Sequence, residues 1–154
     1  MKCLAFYITI LLLTLIFSVA ITKIYFIWNV QFEETARGSV AMCEDGGGGL
    51  IAYKSYDGER LAFYRAHFSS AETARNCFLF KLQNAARIVE REPLYNKTGE
   101  KIAGERIVAL YNEPPESIVR QSAGIISLDE DRIFEIASTS LRHARIYDKK
   151  TRQY

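Results

Sequence analysis

From Cys3 to Thr22 twenty consecutive positions carry no charge, and Leu, Ile, Phe and Val dominate them. At about 1.5 Å of rise per residue this run predicts a helix about 30 Å long, one hydrocarbon thickness. Ile24, Tyr25, Phe26, Ile27 and Trp28 continue it, and tyrosine and tryptophan favour a membrane–water interface. The pattern predicts a single-pass transmembrane signal-anchor over residues 1–28, touching the membrane through residues 3–28. Lys2 and the terminal amine form a short basic flank, which predicts export of the following domain to an extracytoplasmic position. Ser18-Val19-Ala20 has small residues where a signal peptidase reads, so a secreted soluble domain cleaved behind Ala20 is the alternative.

Residues 29–49 show no period and end in Gly46-Gly47-Gly48-Gly49, which predicts a flexible stem. No phosphate-loop spacing can be laid over those glycines, and Glu44-Asp45 precedes them. Residues 50–154 then read as one globular domain, long enough to bury a core without staples. Leu50–Tyr56 and Leu61–Phe68 form a hairpin pattern around Asp57-Gly58, a favoured two-residue turn. Ser69-x-x-Glu72 is a capping box, and Ala71, Ala74, Phe78, Leu82 and Ala85 follow it at helical spacing. Ile88–Glu92 and Glu105–Tyr111 read as strands, with turn residues at Asn96–Gly99 and a break at Pro114-Pro115. Ile118–Leu128 and Arg132–Ala137 read as strands around Asp129-Glu130-Asp131, and Ser138-Thr139-Ser140 caps a last helix. The order predicts an α+β domain, a small antiparallel sheet with two helices packed on one face.

Charge changes the picture only by subtraction. The chain carries 20 Lys and Arg against 18 Asp and Glu, and Lys2 and Lys23 fall in the first 28 residues with no acid. The remainder is therefore balanced, without the basic surplus that nonspecific nucleic-acid binding requires, and no nucleic-acid partner is expected.

Candidate chemistry is sparse. Outside the apolar run only Cys43 and Cys77 remain, and a disulfide between them would close a loop worth on the order of 3–4 kcal/mol. The two have no C-x-x-C spacing, and only His67 and His143 exist to complete a ligand set with them, so no metal or other cofactor is expected. His67, at a strand end before a helix cap, is the candidate base of a small envelope hydrolase working with carboxylates. His143, between Arg142 and Arg145, reads as a surface residue. Lys97-Thr98-Gly99 lacks the Ser-x-x-Lys tetrad that would give it meaning, and Asn96-Lys97-Thr98 is a glycosylation sequon. Glu90, Glu92, Asp129, Glu130 and Asp131 could furnish a general acid/base pair or a cation site, but Asp129-Glu130-Asp131 lacks the spacing of a calcium loop and reads more simply as a solvated acidic turn. Arg142, Arg145, Lys149, Lys150 and Arg152 crowd the C-terminal helix against Asp148; they suit its dipole, or anionic lipid headgroups or an acidic partner. These features point to a binding or interaction module of the cell envelope more than to an enzyme.

Overall fold

The computed structural model describes residues 2–28, 30–95, 101–111 and 122–151. The chain divides into two compact units, Met1–Gln31 and Phe32–Tyr154. The first is built on α1 (Lys2–Trp28). Its described side chains, Ile8 and those from Ile10 to Thr22, are exposed. The hydroxyls of Thr14, Ser18 and Thr22 donate back to carbonyls one turn earlier, which satisfies them within the helix. Among the described residues no helix is long and apolar enough to cross a membrane. That corrects the expectation of a signal-anchor, and with it the single-pass, extracytoplasmic localisation.

In the second unit the order is β1 (Phe32–Met42), β2 (Gly46–Ser55), β3 (Arg60–His67), α2 (Ala71–Gln83), β4 (Arg87–Tyr95), β5 (Lys101–Leu110), β6 (Ala123–Asp129), β7 (Arg132–Ser138) and α3 (Leu141–Thr151). Among the described residues these strands make one seven-stranded sheet in the order β1-β2-β3-β7-β6-β5-β4, and every neighbouring pair is antiparallel. β1 to β3 run as a meander. The chain then crosses through α2 to the far edge and winds back, so that β7 lies beside β3.

The stretch expected as a flexible stem is structured: it supplies β1 and the start of β2. Its glycines serve close approach rather than freedom. A Cβ on Gly48 would stand 1.9 Å from the Arg65 carbonyl oxygen, and one on Gly46 would stand 2.5 Å from the Phe68 ring. Only a residue without a side chain lets β2 lie against β3 there.

The helices do not share a face. Ile107 and Ala109 of β5 and Ile126 of β6 pack in one core cluster with Ala74, Cys77 and Phe78 of α2. Val108 and Ile125, one residue away on the same strands, pack in another with Ala144 and Tyr147 of α3. Successive strand residues point to opposite faces, so α2 and α3 sandwich the sheet in a three-layer α/β/α arrangement. The expectation of two helices on one face is corrected accordingly. Its physical sign was in the central strands: Ala123 to Ile126 and Glu135 to Ser138 are buried without interruption, as strands covered on both sides must be.

Local signals placed the helices to within a residue or two. The α2 capping box is formed one residue later than expected, with Ser70 accepting from Thr73 N–H and the Thr73 hydroxyl accepting from Ser70 N–H. Asp57-Gly58 does turn the chain between β2 and β3, with Gly58 at a φ of 90°. The sequon at 96–98, the break at Pro114-Pro115 and the start of the 118–128 strand lie outside the described residues.

Candidate functional site

On the α3 face the helix covers only part of the sheet. Beyond its C-terminal end an open hollow of about 770 Å³ remains. Its floor is made by outward side chains of three adjacent strands: Phe63 of β3, Phe134 and Ile136 of β7, and Ile125 and Ser127 of β6. One wall is the β4 edge at Glu92, Pro93 and Leu94, and the other is the last turn of α3 with Asp148 and Thr151. The floor is apolar because these strand phases belong to the α3-side core, which continues past the end of the helix.

Arg106 of β5 lies between the walls with only 6% of its side chain exposed. Its Nη2 donates to Asp148 Oδ2 at 2.8 Å and its Nη1 to Glu92 Oε2 at 3.3 Å, with Glu90 at 3.8 Å. Its Nε is buried without a hydrogen-bond partner among the described residues. Such a donor is costly to leave unmet. Arg145 of α3 also bonds Glu90, extending the network to the rim. Burial pushes the Asp148 carboxyl up from its ordinary value; Arg106 opposes this, and Glu92 and Glu90 reinforce it. The Arg65 guanidinium stands 5.7 Å from the centre of the Phe134 ring, so this aromatic face already accepts a planar cation.

A second hollow, about 640 Å³, lies by the start of α2 and is lined by Ser70, Arg75, Glu105, Glu130 and Asp131 among others. His67 lines neither hollow. Its side chain is 69% exposed and pairs with Asp131 at 3.0 Å, so the expected hydrolase base stands in solvent at a sheet end. Asp129 and Arg132 pair across the acidic turn at 2.8 Å.

Cys43 and Cys77 are joined by a disulfide, with Cα atoms 6.0 Å apart. The bond ties the β1–β2 turn to the middle of α2. Cys43 holds a φ of 55°, a left-handed conformation that costs a non-glycine residue about 1 kcal/mol or more.

The basic residues of α3 do not form one patch. Arg145 is committed to Glu90, and Lys150 stands 5.9 Å over the Phe32 ring. Arg142 has an interaction of its own, Lys149 is exposed, and Arg152 lies outside the described residues. His143, expected on the surface, is 4% exposed. It is turned inward because α3 packs with Ala144 and Tyr147 against the sheet, and the neighbouring helical position follows them.

Sequence reasoning passed over Arg106, Asp148 and Asp57. For Arg106 a signal existed, since it alternates in phase with Val108 on a strand whose other phase is also buried. Among the described residues no group of three or more potential ligands is placed to hold a metal ion. No protein-family model, curated protein or solved structure matches the chain.

Proposed function

We propose that the sheet-and-helix unit is a binding module that receives an apolar portion of its ligand in the groove beside the end of α3. The observation that carries this reading is the open hollow of about 770 Å³, largely apolar on its sheet floor and with its two walls joined by the ion pairs of Arg106. Its size falls in the range of small-molecule and short-peptide sites. Phe63, Phe134 and Leu94 are only half-buried there, and an occupant would recover part of the about 1.5–3 kcal/mol that full burial of a large apolar side chain is worth. Arg106 joins the two walls through Asp148 and Glu92 and keeps them fixed, so the apolar floor presents a set shape to an occupant.

The test is titration of the full chain with the neutral fluorophore N-phenyl-1-naphthylamine, alongside Phe134→Ser and Leu94→Glu variants. A saturable fluorescence rise at one site per chain, lost in both variants, is the expected result. Equal fluorescence in parent and variants would show that the groove does not take the probe and would overturn the reading.

A further inference from the structure

A second constellation, separate from the groove, lies where the β2–β3 turn meets the start of α3. His143 is held from both sides. Its Nε2 lies 2.9 Å from Asp57 Oδ2, and its Nδ1 lies 3.1 Å from Ser140 Oγ. An ionised carboxylate only accepts, so in the neutral ring Nε2 carries the hydrogen and Nδ1 accepts one from the Ser140 hydroxyl. Asp57 is fixed in turn by the Ser55 hydroxyl, which donates to its carboxylate. Phe32 closes edge-on against the imidazole with ring centres 6.2 Å apart.

The serine is placed as a nucleophile needs to be. Ser140 is half-buried, whereas the histidine behind it is buried. Its N–H donates to Ser138 Oγ at 3.1 Å and its carbonyl accepts from Ala144 N–H at 3.0 Å, so its backbone is fixed. It immediately precedes α3, so the hydroxyl lies at the positive end of that helix's dipole. A carboxylate-oriented histidine accepting a serine O–H is the arrangement that activates a hydroxyl. The two ring nitrogens are exchanged relative to the familiar serine hydrolases, which leaves the proton transfers unchanged.

We propose that Ser140 is a nucleophile toward activated esters, with His143 as its general base and Asp57 as the residue positioning the imidazole. Ser140 Oγ bonds to the ester carbonyl carbon while its proton passes to His143 Nδ1, and the carbonyl electron pair moves onto oxygen near the start of α3. When that pair returns, the bond to the leaving alkoxide or phenoxide breaks, and the leaving oxygen takes the proton from Nδ1. Water then repeats the sequence on the acyl-serine, releasing the acid and restoring the hydroxyl.

The probes are a fluorophosphonate, which forms an Oγ–P bond as P–F breaks and fluoride leaves with the proton, and p-nitrophenyl acetate. The full chain should gain one phosphonyl group, mapped to the peptide bearing Ser140. The adduct should be absent from Ser140→Ala and from chain unfolded in urea. Removing a general base costs about 10²–10⁴ in rate, so His143→Gln should label at least about 100-fold more slowly. Because His143 is buried, the exposed Asp57→Asn provides the second variant: it should slow labelling and acetate release at least about tenfold with an unchanged circular dichroism spectrum, and Asp57→Glu should recover part of the rate. Labelling no faster than in urea, an adduct on another residue, or undiminished labelling in the folded Asp57→Asn variant would overturn the proposal and leave the cluster as a tie between turn and helix.

Discussion

Reducing the Cys43–Cys77 disulfide should destabilise the second unit without unpacking it. The bond spans 34 residues. The chain-entropy relation for a loop of that length gives a loss of about 12.6 cal/mol/K, or about 3.8 kcal/mol at 25 °C. Reduction also releases Cys43 from its left-handed φ of 55°, which returns about 1 kcal/mol. The net loss is therefore about 3 kcal/mol. For a folded unit of about 120 residues the unfolding entropy is about 0.25 kcal/mol/K, so the midpoint should fall by about 12 °C. Cys77 stays buried beside Phe78 and Ala74 in either state, so the low-temperature spectrum should not change. The assay is thermal unfolding by circular dichroism with and without reductant, with titratable thiols rising from one to the three in the sequence. A midpoint shift under about 4 °C with all three thiols titrated would refute this reasoning.

Three other perturbations follow from the packing. Gly48→Ala should prevent normal pairing of β2 with β3, whereas Gly47→Ala, with nothing within 4 Å of the added Cβ, should stay within about 1 kcal/mol of the parent in urea unfolding. Lys81→Met removes the 2.6 Å partner of Glu135, a carboxylate only 4% exposed, and should cost about 3 kcal/mol; the Lys81→Met, Glu135→Leu pair should recover most of it. Burial would push the Asp57 carboxyl up, but the Ser55 hydroxyl and His143 outweigh it and hold the group below its ordinary 3.8. The stability it contributes is present above that ordinary value and is lost as pH falls through the lower folded one. Asp57→Asn should therefore flatten the acid limb of a stability–pH curve below about pH 4 and leave its slope at neutral pH unchanged.

Much of the fold was legible where a local rule governs it. Asp57-Gly58 lies in the turn, within a loop that runs from Tyr56 to Glu59 rather than over two residues, and the Ser69-x-x-Glu72 box and apolar spacing marked the start of α2 to within a residue. What failed depended on distant partners. The glycine run looked mobile because nothing nearby shows that Arg65 and Phe68 will close against it. The faces of the helices were misjudged because burial on both sides of β6 and β7 depends on strand order, which periodicity does not encode. The apolar N-terminal stretch was read by its composition as a membrane anchor, yet among the described residues no helix is long and apolar enough to span one. Arg106 meets Asp148 across 42 positions and His143 meets Asp57 across 86, so both constellations appear only once the sheet has formed.

The groove is tested most directly by amide NMR of the uniformly ¹⁵N-labelled full chain titrated with N-phenyl-1-naphthylamine. The account predicts saturable shifts concentrated on Leu94, Ser127, Phe134 and Thr151, which border one hollow though they are scattered along the sequence. The Arg106 Nε–H resonance should move with them. Shifts confined to residues of α1, or spread evenly over the sheet, would contradict it.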